Sequence, residues 1–231
     1  GPTVVKKAII DGQELPATWN GDGAQFHAEN GRWATGPPAR SKGGLAKRPG
    51  LCGPIDHAFM DSFVFVAPTG RSNNKEMEEW TKSEMDRAIK QWRKVFRGDA
   101  PVRTDRSIQP KDIADSNLIL WGDPNSNALI RKIVDKLPLK WDLRGVSFGR
   151  TSHDVRHHAP ILIFPNPLNP DRYVVINSGF TFREAAALNN AQQTPKLPDW
   201  AVVDLRTPPD EHWPGKIVET GFFDEHWKPE L

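Results

Sequence analysis

The chain has 231 residues, and its 31 Lys and Arg nearly cancel its 29 Asp and Glu, leaving a formal net charge of +2. That balance excludes a general nucleic-acid binder, whose footprint needs a basic excess or stripe. The single cysteine, Cys52, excludes an internal disulfide framework and a multi-cysteine zinc site, and no apolar run is long enough for a membrane span.

Gly1-Pro2 reads as the remnant of a cleaved fusion tag, and the first residues do not read as a secretion signal, so localisation is open. Nine Trp stand against one Tyr. Tryptophan serves cores and sugar-stacking surfaces alike, and burial in the core is the plainer reading.

Residues 1–35 predict an appended antiparallel β-meander. Val4 to Ile10 stops at Asp11-Gly12, Gln13 to Trp19 at Asn20-Gly21, and Ala24 to Glu29 at Asn30-Gly31. These pairs supply the positive φ angles of tight hairpin turns. Strands this short bury little alone, so the meander is expected to pack on something else. Residues 36–54 are rich in Gly and Pro, and their basic stretch Arg40 to Arg48 reads as a solvated linker.

Residues 55–231 predict a three-layer α/β domain. Ser62 to Ala67 is a continuous apolar run, the mark of a strand buried on both faces. Glu76 to Arg97 repeats apolar residues at three- and four-residue steps, which predicts a helix stopped by Gly98. After a loop come a strand over Asn117 to Trp121 and a helix over Ser126 to Leu137. This order implies parallel crossovers, hence a mostly parallel, doubly wound sheet of Rossmann-like or flavodoxin-like type. Ile161 to Phe164 and Arg172 to Asn177 are joined by too few residues for a crossover and predict an antiparallel hairpin. A helix from about Phe182 to Ala191 and a strand over Trp200 to Leu205 follow, and the aromatic tail Gly221 to Trp227 is expected to dock on the domain.

The turn Gly122 to Asn127 lacks the second glycine and the lysine of a phosphate loop, the three glycines of a dinucleotide fingerprint, and the spacing of a hydrolase elbow. Asn125 or Ser126 fits as a helix cap. Gly70 to Asn74 and Asn177-Ser178-Gly179 also sit between a strand and a helix, and their serines read first as caps. A rival reading makes Ser72 or Ser178 a nucleophile, with His153 or His157 as base. The histidines 153, 157 and 158 lie with Asp154 and Arg156 in what reads as a solvated loop. Their spacing is a weak metal pattern, so neither metal nor cofactor is expected. Asp56-His57 could form an acid/base pair or simply pack.

A parallel sheet would bring three turns to its carboxyl edge, the usual ligand crevice of open α/β sheets. The candidate edge comprises Thr69, Gly70, Arg71, Asp123, Asn125, Ser126, Asn127, Asn177 and Ser178. Its amide-rich, nearly neutral lining suits a polyol, a peptide backbone or another domain.

Three stretches, KRPGLCGPIDHAFMDSF over 47–63, LILWGDPNSN over 118–127 and PNPLNPDRYVVINSGF over 165–180, carry a resemblance. Together they resemble the C-terminal region of large prolyl-oligopeptidase-like α/β-hydrolase proteins of planctomycetes. That family carries its nucleophile in a Gly-rich elbow of a separate upstream domain, and this chain has no such elbow. The resemblance therefore implies a non-catalytic accessory C-terminal domain of a secreted serine hydrolase, periplasmic or extracellular. Its partner would be the upstream catalytic domain, and its work packing, oligomerisation or control of active-site access. The rivals are a stand-alone serine hydrolase and a carbohydrate-binding module, the last requiring at least two solvent-exposed tryptophans in a line. A polysaccharide, a peptide or a second copy of the chain are the other partners considered.

Overall fold

The computed structural model describes residues 6–17, 23–29, 31–36 and 44–229. The chain divides into two compact units, Gly1–Gly44 and Leu45–Leu231.

In the smaller unit, β1 (Lys7–Ile10) pairs antiparallel with β2 (Gln13–Pro16), and β3 (Phe26–Glu29) with β4 (Arg32–Thr35). Asp11 and Gly12 both hold positive φ, 48° and 77°, as the hairpin turn requires. The expected continuous meander is instead two separate hairpins. They are joined by the Gln13 amide, which donates to the Trp33 carbonyl (2.8 Å) and accepts from the Trp33 N–H (2.9 Å). Asn20-Gly21 and Asn30 lie outside the described residues.

The larger unit is built on a seven-stranded mixed sheet. Its strands are β5 (Phe63–Ala67), β6 (Val102–Thr104), β7 (Asn117–Leu120), β11 (His158–Asn166), β12 (Asn169–Ile176), β13 (Trp200–Asp204) and β14 (Lys216–Gly221), in the order β14-β13-β11-β12-β7-β5-β6. Pairing is parallel from β12 through β7 and β5 to β6, and antiparallel from β12 through β11 and β13 to β14. The expectation of a mostly parallel sheet is thus corrected to an even mixture. The physical reason lies in the connections. The two-residue β11–β12 link can only reverse the chain, which sets β11 against both its neighbours β12 and β13, and β13 in turn pairs antiparallel with the strand that follows it, β14.

The helix α1 (Lys75–Phe96) buries Met77, Trp80, Met85 and Ala88 along one stripe. Full burial of each of its larger apolar side chains contributes about 1.5–3 kcal/mol. Asn74 caps its first turn, and Arg97, at φ 63°, closes it in the left-handed conformation that was expected of Gly98. Residues 98–116, read as a loop, contain β6 and α2 (Pro110–Asp115), which begins with proline and a capping box. The helix expected over Ser126 to Leu137 is shorter: α3 (Ala128–Ile133), then a 3-10 turn. The helix expected over Phe182 to Ala191 is absent. Phe182 and Arg183 are buried in non-helical backbone, and 3-10 turns occupy Glu184–Leu188 and Asn190–Gln192. Of the stretch read as a linker, residues 45–54 belong to the larger unit, where Leu51 is buried and Lys47 pairs with the buried Asp199 at 2.6 Å. The tail docks as expected, with Phe223 and Trp227 in the core. No helix among the described residues is long and apolar enough to cross a membrane.

A small antiparallel sheet of β8 (Lys140–Trp141), β9 (Gly145–Ser147) and β10 (His153–Asp154) was not foreseen from the sequence. It supplies a wall of the crevice described next.

Candidate functional site

The loops that follow β5 and β7 are knitted together at the carboxyl ends of these strands. Gly70 donates to the Ser126 carbonyl at 2.8 Å, and a Cβ on Gly70 would lie 2.9 Å from that oxygen, so only glycine allows this approach. Asp123 is buried and organises the second loop. Its Oδ1 accepts from the Asn125 and Ser126 backbone amides (2.9 and 2.8 Å) and from the Ser126 hydroxyl (2.9 Å), and its Oδ2 accepts from the Ser72 hydroxyl. The helix cap is Asn127 rather than Asn125 or Ser126. Its Oδ1 accepts from the Leu129 and Ile130 amides, while its Nδ2 donates to the Trp121 carbonyl at 2.9 Å.

Asn177 extends the β7–β12 ladder past its end. It holds φ 55°, its Oδ1 accepts from the Gly122 amide at 2.8 Å, and its Nδ2 donates to the Gly122 carbonyl at 3.0 Å. The side-chain amide thereby satisfies a buried peptide unit that the sheet no longer reaches. Ser178 is buried and donates to the neighbouring Gly179 carbonyl. Of the predicted edge, Thr69, Gly70, Arg71 and Asn125 are exposed, and the others are buried and bonded to the protein.

Beside this edge lies a cavity of about 350 Å³ lined by Asn73, Asn74, Asp123, Pro124, Asn125, Trp141, Asp142, Leu143, Val155 and Arg156. One wall is the pair of knitted loops, and the other is the β8–β9 turn with the turn preceding β11. Asn74 holds the walls together, because its Nδ2 donates to the Val155 and Arg156 carbonyls at 3.0 and 2.9 Å while its Oδ1 caps α1. Charge in the lining is compensated. The Arg156 guanidinium grips Asp154 and holds that carboxyl well below the usual range. The Arg144 and Gly145 amides hold the Asp142 carboxyl low as well. A second cavity, about 260 Å³, runs along α1 and is lined by Gly70, Ser72, Met77, Thr81 and Ser126 among others.

The predicted histidine loop is solvated only in part: Arg156 is exposed, while the three histidines are half-buried and bonded to the protein. His153, on β10, bonds Glu219 of β14 at 2.7 Å, and His157 bonds Glu76 of α1 at 2.9 Å. His158 opens β11 with its ring 5.2 Å from that of His153. Each histidine therefore ties two elements together. Ser72 and Ser178 make no hydrogen bond to any histidine among the described residues. Asp56 and His57 also part company: Asp56 accepts from the Thr181 amide (2.9 Å) and hydroxyl, and His57 bonds the Tyr173 hydroxyl at 2.8 Å. Burial pushes the Asp56 carboxyl up despite the Thr181 bonds. Among the described residues, no three His, Cys, Asp or Glu side chains are grouped to hold a metal.

Asn73, Trp141 and Arg156 escaped the prediction of the edge. The carboxyl-edge rule points to the ends of parallel strands, whereas Trp141 comes from a two-residue strand outside the main sheet. The fold and its edge define a mixed α/β domain with a polar, aromatic-walled crevice. No family model, curated protein or solved structure matches the chain.

Proposed function

We propose that the chain is a non-catalytic α/β domain that recognises a ligand or partner at its carboxyl edge. We read it as the accessory C-terminal domain of a larger secreted, prolyl-oligopeptidase-like serine hydrolase. Its parallel strands are read as one wing of a doubly wound sheet, the part of such folds that presents a ligand. The observation that supports a non-catalytic role is the use made of the two candidate serines. Ser72 is bonded to Asp123 and accepts from the Asn74 amide, and Ser178 is turned onto its own loop. In the rival reading a histidine takes the serine proton, and among the described residues neither serine bonds one. The Asp123 carboxylate beside Ser72 is already held by the Asn125 and Ser126 amides and the Ser126 hydroxyl.

The test is labelling of the purified chain with a serine-reactive phosphonate, read by intact mass beside an ester-hydrolysis assay. No adduct and no turnover are expected from folded protein. A single stoichiometric adduct with turnover would overturn the reading in favour of a hydrolase.

A further inference from the structure

The geometry points to the 350 Å³ crevice as a binding site for a neutral saccharide, seated against Trp141 and held by the side-chain amides of Asn73 and Asn125. This rests on the reading of the carboxyl edge as a recognition surface.

The structure leaves a distinctive set of groups unused in this crevice. The side-chain amides of Asn73 and Asn125 are exposed and make no hydrogen bond among the described residues, in contrast to Asn74, Asn127 and Asn177, whose amides are all engaged. Among the described residues the indole N–H of half-buried Trp141 is likewise unbonded to the protein. Trp213, the one exposed tryptophan among the described residues, lies outside this crevice, which therefore offers a single aromatic ring rather than a line of exposed tryptophans. Trp121 and Trp227, by contrast, have enclosed N–H groups. A crevice of this volume lined by an aromatic ring, a few apolar side chains and a small number of unengaged polar groups is what small-ligand sites present.

The chemistry of the groups selects the ligand class. Each amide offers both a donor and an acceptor, which matches a sugar hydroxyl that also does both. Trp141, Leu143, Val155 and Pro124 supply apolar surface for the C–H faces of a pyranose ring, and the indole combines that surface with a polar tip. The formal charges at the rim are compensated, Arg156 by Asp154 and Asp123 by hydroxyl and amide donors. An anionic ligand would find no free cation there better than the partly engaged Arg156. A nucleotide phosphate has no glycine-rich cradle.

The test uses the full chain labelled with ¹⁵N, followed through its tryptophan indole N–H cross-peaks. The Trp141 peak is assigned as the one missing from Trp141→Phe, which keeps an aromatic ring and removes the donor. Titrations use cellotetraose, xylotetraose, laminaritetraose and N-acetylated chitotetraose, and a proline-containing tetrapeptide. The expected result is a saturable shift of the Trp141 peak with at least one oligosaccharide. Asn125→Ala, which removes an exposed side chain with no bonds to the protein, should weaken that affinity roughly fivefold, the effect of one lost hydrogen bond. No shift with any oligosaccharide up to about 20 mM, far above ordinary weak binding, would overturn the proposal. A shift with the tetrapeptide alone would also overturn it and assign the crevice to peptide. A sugar-induced shift unchanged in both Asn73→Ala and Asn125→Ala would overturn the placement of the ligand. Phosphonate labelling fails independently: an adduct would sink the non-catalytic reading whatever the titration shows, and an unshifted Trp141 without an adduct would sink only the saccharide.

Discussion

At the scale of single residues, the carboxyl edge depends on Gly122. Its φ is +112°, and a Cβ there would lie 2.5 Å from the Ser126 hydroxyl that Asp123 holds. Gly122→Ala therefore combines a strained backbone with loss of a buried hydrogen bond, and it should lower stability by about 2–4 kcal/mol. Urea unfolding followed by fluorescence measures this, and a loss under about 0.5 kcal/mol, the scale of a neutral surface change, would show that the turn relaxes freely. That a cap sits here was legible, because Asn, Ser and Asp cluster before an apolar period. Which residue caps was not. Asn125, Ser126 and Asn127 are all good cap residues, and the choice of Asn127 depends on where the Trp121 carbonyl lies in the folded chain.

At the scale of elements, length and repetition decided what could be read. The 22 residues of α1 repeat the apolar stripe several times, and β5, β7 and the β11–β12 hairpin carry continuous apolar runs. The six-residue α2 and the two- and three-residue strands β8 to β10 are too short for any period to show. Three buried positions of α1 are polar, Thr81, Glu84 and Gln91, and of these Glu84 receives both terminal nitrogens of Arg183, at 2.6 and 3.1 Å, with both side chains enclosed. Arg183 in turn reaches the Asp210 carbonyl, so the pair clamps the segment after β12 to the helix. Arg183→Met alone should cost about 3–5 kcal/mol by stranding the carboxylate, and Glu84→Leu combined with Arg183→Met should recover most of it. Denaturant midpoints of the single and double variants give the comparison, and a double variant as weak as the single would mean that the ion pair itself, not the stranded charge, matters.

At the scale of the whole molecule, Tyr173 links the incoming segment 47–57 to the sheet. Its hydroxyl accepts from the Gly53 amide at 3.1 Å and bonds His57, and burial pushes its pKa up to about 12. In the unfolded chain a tyrosine loses its proton near pH 10. Between about pH 10 and 12 the folded state therefore holds a proton that the unfolded state has released, and stability falls as pH rises through that window. Tyr173→Phe should remove this component of the slope. As the only tyrosine in the chain, Tyr173 can be followed directly by its 295 nm absorbance. A midpoint near pH 10 in folded protein would contradict the burial argument.

The sequence alone determined the local features: the hairpin turn at Asp11-Gly12, the buried strands, α1, the β11–β12 hairpin and the docking of the aromatic tail. These follow from φ preferences and from apolar periods that act over a few neighbouring residues. Only the tertiary structure decided that half the sheet is antiparallel, that His153 and His157 bond carboxylates of distant elements, and that Trp141, Asn73 and Asn125 line one crevice. Those arrangements depend on contacts between residues some twenty to eighty positions apart. Such contacts are set by the packing of whole elements, which no local pattern of residues encodes.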